Sequence, residues 1–365
     1  MMKIVWFANI LSWLMGLFLV IPVFAQEKPY YFYNPSNDFG SDLVFNHVTL
    51  LINGSFDILR NGNVTKDVLQ LPYWDGFENV ISNITHPLDN IEKYGWGNFF
   101  ADEIFNAKGD MDRMQFLPNF SLHILGNGMQ YVKLAEWCDY RGYPHPYIFS
   151  AATTISYQFL NEIVENSTFN GPNVDPIADL LIFNPLGFIL FSTRFGRETF
   201  SKVIPIYDWS CQPYLNLGNF YLENAGQQFA SKIQVSSRRH PAIFLYWGVN
   251  TIFGMSCRVS EHSTLSFGAG SVIFGLREDR QGEARLVTPR TKNAIGLFWD
   301  RTNSLMASAI IAGAKADYFK IEVFPGLLRI GSLKPGFFIG RLEEGNLQIG
   351  LAAFLFPLGF LHEFN

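Results

Sequence analysis

Several ionisable and amide side chains lie in an otherwise apolar part of the chain, between residues 118 and 192. They are His123, Glu162, Asp175, Asp179 and Asn184, followed by Gly187. Charged groups on apolar helices are costly unless they are paired, so such a set can mark a site. A histidine with two carboxylates is a combination that general acid–base hydrolysis uses. The candidate catalytic residues are therefore His123, Glu162 and Asp179.

The same residues also predict a metal site. Asp175 and Asp179 are four residues apart, which places both carboxylates on one face of a helix. Carboxylate oxygens are ligands for hard divalent cations, so these two residues are the candidate metal ligands. The pattern identifies no particular cofactor.

A purely structural interpretation uses the same side chains. The polar groups would then fix three helices to each other, with His123 bonded to Glu162 and with Asp179 capping a helix end. The catalytic hypothesis instead requires His123, Glu162 and Asp179 to converge within hydrogen-bond distance around one cavity.

The order of these residues resembles the core of a bacterial outer-membrane family of unknown function. That core has a histidine on one helix, a glutamate ending the next, and aspartate, asparagine and glycine on a third. YfiM-type lipoproteins and VanZ-like membrane proteins are more distantly similar. The family spaces its aspartate and asparagine by four residues, whereas Asp179 and Asn184 are five apart. This difference predicts a one-residue bulge or another partner for Asp179. The resemblance implies that Asn184 and Gly187 form a structural motif, and it implies no particular activity.

Three helices are predicted to position these side chains. Apolar periodicity over 122–135 predicts the first helix, which ends before Arg141 and Gly142. The second helix is expected over 148–165. The third begins at Asp175-Pro176 and runs to residue 191, since Asp and Pro are favoured at helix starts.

Beyond residue 192 the chain alternates apolar with small or polar residues. Ile243, Leu245 and Trp247 are typical, because successive strand residues point to opposite faces. Lipid accepts only helices and closed barrels. The sequence therefore predicts an antiparallel transmembrane β-barrel of about eight to twelve strands, with the three helices as an N-terminal plug.

The predicted domains follow from these changes of period. Residues 1–25 are predicted to be a cleaved signal peptide, with an apolar core and small residues before the cleavage point. Residues 26–117 are a mixed periplasmic region, in which Asn53-Gly54 is typical of a hairpin turn. Residues 118–192 form the helical domain, and residues 193–365 form the barrel. The expected location is the outer membrane.

Composition limits the partners. Charged residues make up 16% of the chain and aromatic residues another 16%, which fits a surface that faces hydrocarbon. The net charge of −5 provides no basic surface for nucleic acid. The expected partner is membrane lipid, and an envelope lipid or glycan is the candidate ligand.

The sequence is consistent with two functions. The first is an outer-membrane barrel with a structural or envelope role, its helices packed in or under the barrel. The alternative is a membrane-embedded hydrolase or metal-dependent enzyme that acts on a lipid or envelope glycan through His123, Glu162 and Asp179. A wide channel is less favoured, because several inward positions carry bulky residues such as Phe298.

Overall fold

The computed structural model describes residues 30–61, 65–105, 119–234, 241–281, 284–313, 318–341 and 346–364. By contacts, Tyr31–Asn365 forms one unit. The predicted signal peptide lies outside the described residues.

Helices occupy most of the described chain from residue 40 to residue 203, which is more than the three helices predicted. The α-helices are α1 (Gly40–Val44), α2 (His47–Ser55), α3 (Tyr73–Thr85), α4 (Pro87–Tyr94), α5 (Trp96–Phe99), α6 (Asn127–Tyr140), α7 (Pro146–Asn166), α8 (Asp175–Ala178), α9 (Asn184–Ser192) and α10 (Arg194–Glu198). A 3₁₀ turn covers Asp57–Asn61, and π-helical segments cover Phe100–Ile104, Asn119–Gly126, Asp179–Phe183 and Thr199–Val203.

A mixed sheet follows the helices. Its strands are β1 (Ile206–Asp208), β2 (Tyr214–Asn216), β3 (Leu222–Glu223), β4 (Gln228–Ile233), β5 (Ala242–Gly248), β6 (Thr251–Arg258), β7 (Ser263–Gln281), β8 (Ala284–Arg301), β9 (Ser304–Ala312), β10 (Tyr318–Val323), β11 (Pro335–Arg341), β12 (Leu347–Ala353) and β13 (Gly359–Phe364). These 13 strands of the described chain are ordered β1-β4-β5-β6-β7-β8-β9-β10-β11-β12-β13-β2-β3.

The predicted closed antiparallel transmembrane barrel is wrong. The outer strands of the sheet are β1 and β3, and no ladder joins them within the described residues. The sheet is also mixed, because β13 pairs with β2 in parallel, with Gly359 opposite Tyr214. Alternation along a strand specifies which side chains share a face. It does not specify whether the two ends of a sheet meet, since that depends on pairings distant in sequence.

The opening region is helical where a hairpin was expected. The Asn46 side chain accepts hydrogen bonds from the backbone N–H groups of Val48 (2.9 Å) and Thr49 (3.0 Å), which caps α2. Asn53 and Gly54 then lie inside this helix, and both are buried. The dipeptide signal is therefore overridden by the cap and by tertiary packing.

Residues 194–203 are also helical, although the sequence placed them in the strand region. The Thr193 hydroxyl accepts a 3.0 Å hydrogen bond from the backbone N–H of Gly196 and starts α10. The first strand begins only at Ile206.

The inner face of the sheet forms a packed aromatic core. The rings of Tyr246 and Phe298 lie 4.6 Å apart, and those of Trp209 and Phe298 lie 5.9 Å apart. Aromatic pairs at these distances add to the stability gained from burial. Side chains therefore fill the inward positions, in line with the bulky residue types, such as Phe298, that the sequence places there.

The outer face of the sheet carries a continuous apolar row. From β6 to β12, cross-strand neighbours are, in order, Met255, Phe267, Leu297, Ala309, Ile321, Ile339 and Ile349. All are exposed except the half-buried Ala309. At ordinary strand spacing the row is about 30 Å wide. Water-soluble monomers rarely expose contiguous apolar surface on this scale.

The helices are joined to the sheet by specific polar contacts. The Lys133 ammonium on α6 lies 2.7 Å from the Asp42 carboxylate. The backbone N–H of Asp42 donates to the Ser304 hydroxyl at 3.0 Å, and that hydroxyl donates to the Phe39 carbonyl at 2.9 Å. The helical layer therefore packs against the turn between β8 and β9.

One helical stretch of the described chain, Asp175–Ser192, has the length and apolar composition of a membrane-crossing helix. Half of it is buried inside the protein, and buried core helices pass the same test. It comprises α8, a π-helical turn and α9.

Candidate functional site

His123 is held between two residues of the third predicted helix. Its Nε2 lies 3.1 Å from Asp179 Oδ2, and its Nδ1 lies 2.9 Å from Asn184 Oδ1. Only 15% of the imidazole side chain is exposed. Both ring nitrogens are therefore engaged, and the ring orientation is fixed.

The five-residue spacing of Asp179 and Asn184 is accommodated by a π-helical turn over Asp179–Phe183. A π turn contains one residue more than an α turn, so residues five apart share a face. The structure has a one-residue bulge here, which is the first of the two alternatives that the spacing left open. Because of it, Asp179 and Asn184 both reach His123. A second π-helical segment, Asn119–Gly126, carries His123 itself.

Three carboxyl groups gather beside the imidazole. Glu162 on α7, Asp175 at the start of α8, and Asp179 each offer an oxygen, and these oxygens all lie within 4.8 Å of one another. Glu162 and Asp179 are buried, and Asp175 is half-buried. Glu162 also shares a hydrogen bond with Asp179. This spacing is short enough for one cation to contact all three groups.

A fourth acid, Glu103, was not found by sequence reasoning. It lies in the π-helical segment Phe100–Ile104, is buried, and accepts a 3.1 Å hydrogen bond from the Asn119 side-chain amide. Among the charged groups around it, Asp175 raises the pKa of Glu103 the most. The signal that could have identified it is the pair of acids Asp102 and Glu103 within the otherwise apolar stretch from Phe99 to Phe105.

Burial raises the pKa of Glu103, Glu162 and Asp179 well above the ordinary carboxyl range, and the neighbouring Asp175 raises each of them further. For Asp179, the charges that raise the pKa most are those of other acids, with Asp175 and Glu162 first. Taking a carboxylate out of water without an opposite charge is expensive. The cluster therefore holds protons, or it holds a cation that replaces them.

The bonds to His123 indicate where one proton lies. Burial lowers the pKa of His123 to about 4, so the ring is neutral near pH 7. An amide oxygen can only accept, so Nδ1 donates to Asn184. Nε2 is then an acceptor, and its short contact requires the Asp179 carboxyl to donate. His123 and Asp179 thus share one proton.

Two polar atoms at this site are buried without a hydrogen-bond partner among the described residues. They are Asp179 Oδ1 and Asn184 Nδ2. Buried polar atoms in native proteins nearly always have a partner, which is often water or an ion. The unpartnered Oδ1 belongs to the residue at the centre of the acidic cluster.

A hydrogen-bond network extends from the site to the sheet. Asn127 lies 3.5 Å from Asn184 and accepts a 2.9 Å bond from the Tyr157 hydroxyl. Gln130 bonds to the same hydroxyl and donates to Asp208 on β1 at 3.1 Å. This network joins α6, α7 and the sheet, so it fixes the helices that carry the site.

Gly187 permits the close approach of α9 to the segment that carries His123. A Cβ at this position would lie 2.7 Å from the His123 carbonyl oxygen and 2.8 Å from that of Ile124. Gly128 is similarly close, since its Cβ would lie 2.9 Å from the Gly187 carbonyl oxygen. Only glycine fits such backbone contacts.

The polar residues selected from the sequence are therefore close together. One pairing differs from the structural interpretation, because His123 bonds to Asp179 and Asn184, while Glu162 bonds to Asp179.

Comparison with known proteins adds no relative. The chain matches none of the family models searched, no curated protein and no solved structure. The resemblance to the outer-membrane family of unknown function stays a hypothesis.

We expect Gly187→Ala to destabilise the protein by about 1–3 kcal/mol, because two backbone segments must separate. Helix propensity alone would favour alanine by roughly 0.5–1 kcal/mol. Gly97→Ala is the matched control, since a Cβ there meets nothing within 4 Å. Denaturant unfolding measures both variants. Equal stability of Gly187→Ala and the wild type would contradict the close packing.

We expect the cation-free protein to lose stability as pH rises above about 6.5. An acid whose folded pKa is raised stabilises the fold at low pH, and this contribution is lost as pH rises through the folded pKa. His123 has the opposite sign, but it acts only below its unfolded pKa of about 6.5. Each acid contributes at most about 1.4 kcal/mol per pH unit.

Denaturant titrations in a chelating buffer at several pH values test this slope. Asp179→Asn should flatten it. A free energy of unfolding that increases across this range would show that the acids are ionised and paired.

Proposed function

We propose that the chain binds a divalent cation through Glu162, Asp175 and Asp179, and that it is a hydrolase of the cell envelope. The observation that supports this most directly is the approach of three carboxyl groups to within 4.8 Å, with Asp179 Oδ1 buried and lacking a partner among the described residues. Oxygen ligands of this kind suit Mg²⁺, Ca²⁺ or Mn²⁺.

A cation would relieve the main electrostatic cost of the site. The buried acids have one another as neighbours, so each must otherwise remain protonated. A bound cation favours their ionised forms and releases the protons. Asp179 would pass its shared proton to His123 or to solvent.

The chemistry that such a cation supplies is activation of a bound water for attack on an ester or glycosidic bond. His123 is suited to proton transfer, because it is neutral, oriented by Asn184, and directly bonded to a carboxyl group. The Asn184 amide group that lacks a partner among the described residues is a donor for a substrate oxygen. The proposed substrate is an envelope lipid or glycan.

A purely structural role in the envelope is the second candidate. It is favoured by the hydrogen-bond network through Asn127, Tyr157 and Gln130, which joins the site to the sheet without any ligand. In this case the acids would stay protonated.

For location, we propose export to the outer membrane with lipid as the neighbour of the sheet. The signal-like segment at residues 1–25 supports export. The apolar row from Met255 to Ile349 supports lipid contact, because its side chains are exposed across seven paired strands.

We expect divalent cations to stabilise the wild type, by about 2.7 kcal/mol at a hundredfold excess over Kd. Glu162→Gln should abolish this gain. It should also stabilise the cation-free protein, because a neutral amide replaces a buried acid next to other acids. Thermal unfolding with Mn²⁺, Ca²⁺, Mg²⁺ or Zn²⁺, and with a chelator, measures both effects.

Glu78→Gln, at an exposed position on α3, is the matched control and should change neither value. The structural role would be supported instead if no cation changed the thermal stability of the wild type and if Glu162→Gln were less stable than the wild type.

We expect the expressed chain to stay with the membrane fraction after washes with high salt and alkaline carbonate, because its apolar outer face needs lipid or detergent. Detergent should release it. Recovery as a monomer in the soluble periplasmic extract would contradict lipid contact.

A further inference from the structure

The segment that follows the acidic cluster exposes several large apolar side chains. This docking segment, residues 186–204, comprises most of α9, all of α10, the π-helical turn over Thr199–Val203 and Ile204. Its exposed apolar residues are Leu186, Ile189, Phe195, Val203 and Ile204. Phe195 is 72% exposed and Val203 is 66% exposed. Side chains of this size would ordinarily be buried in a helix of a soluble protein.

The docking segment is also basic. It carries Arg194, Arg197 and Lys202 against the single acid Glu198, in a chain whose net charge is −5. Arg194 and Lys202 are mostly exposed, and both lie within ion-pair distance of Glu198. One acid cannot neutralise both cations, so the surface keeps a local positive charge.

The docking segment is held on the body of the protein by its inward side chains. The Phe191 ring of the segment lies 5.8 Å from the Phe32 ring. The Arg197 guanidinium lies 5.7 Å from the Tyr31 ring, and the Lys202 ammonium lies 6.0 Å from it. Because these contacts fix the backbone, the segment that exposes Phe195 and Val203 is ordered.

We propose that the docking segment lies in the interface of an anionic phospholipid bilayer, and that a phospholipid of this bilayer is the substrate of the acidic site. The second part rests on the proposed cation-dependent hydrolase. Helical segments with exposed apolar residues and basic side chains bind anionic bilayers in this way. Each Lys or Arg near such a surface adds to the attraction.

The position of the site favours a lipid over a soluble glycan. Asp179 and Leu186 are seven residues apart along nearly continuous helix, a rise of about 10 Å. Interfacial helices bury their apolar faces about 5–10 Å deep, at the level of headgroups and acyl esters. A cation held by Glu162, Asp175 and Asp179 would then lie near phosphate and ester oxygens.

A second copy of the chain is a poorer occupant of the same surface. A two-fold contact places the same patch on both partners. Arg194 and Lys202 would then face their own copies, and like charges across an interface oppose association. An anionic bilayer instead complements these charges.

A site-specific probe tests the docking. The full chain carries Cys257→Ser, which removes the one native thiol of the described residues that is not buried. A single environment-sensitive fluorophore is attached at Phe195→Cys or at Leu88→Cys. Leu88 is the matched control, because it is 65% exposed but lies on α4 beside Asp89 and Glu92. Each protein is reconstituted into phosphatidylcholine vesicles with or without phosphatidylglycerol, and quenching by spin-labelled lipid is measured.

We expect strong quenching at position 195 in the presence of phosphatidylglycerol and little quenching at position 88. The double variant Arg194→Glu, Lys202→Glu should need roughly tenfold more phosphatidylglycerol for the same response. The docking would be overturned by equal quenching at both positions, or by quenching at position 195 that does not depend on phosphatidylglycerol.

Cation binding separates this inference from the proposed function. Mn²⁺ is titrated by calorimetry against the unlabelled protein in detergent and in phosphatidylglycerol vesicles. We expect binding in both, with Kd at least fivefold lower in the vesicles, since a lipid phosphate next to the site would add a ligand. Binding with unchanged Kd would reject the phospholipid substrate and leave the cation site intact. No binding in either medium would reject the proposed function and the substrate together, whereas the quenching result would still decide the docking.

Discussion

The helical layer depends on one constraint, which is that several carboxyl groups are buried away from water. Glu103, Glu162 and Asp179 are buried, and their strongest charged neighbours are other acids. Hydrophobic burial of the surrounding helices stabilises this arrangement, although the site itself opposes it. Such groups persist when the neutral form is retained or when a cation supplies the missing charge. The proton shared by His123 and Asp179 belongs to the first of these states.

Irregular helices place the acids and the histidine together. The π-helical turn at Asp179–Phe183 brings Asp179 and Asn184 to one face, and the π-helical segment at Asn119–Gly126 presents His123 to them. Single π turns are uncommon and frequently occur at functional sites. Gly187 then allows the two segments to touch through their backbones. Local geometry and close packing therefore fix the imidazole before any ligand binds.

The sheet supports the helical layer on one side and exposes apolar surface elsewhere. Its inner face is filled by aromatic rings such as Trp209 and Phe298, while Asp208 on β1 continues the hydrogen-bond network that begins at the site. The apolar row on the outer face and the basic docking segment, residues 186–204, are separate surfaces. Both surfaces are proposed to lie against lipid, and the basic charge of the docking segment suits the level of the headgroups. Lipid would then reach the acidic site from the side of the docking segment.

The sequence by itself determined the polar set, the helices over 118–192, the alternation of the strands and the extra residue between Asp179 and Asn184. These features follow from local periodicity and spacing, which a single sequence records. Tertiary structure alone decided the sheet order, its open ends, the helical fold around Asn46, and the contribution of Glu103. Each of these depends on pairing between residues distant in the chain, and period-two or period-four patterns carry no information about distant partners. The charge state of the acids was also decided only by the tertiary structure. Burial and neighbouring carboxylates set the pKa of each acid, and both arise only when the helices pack.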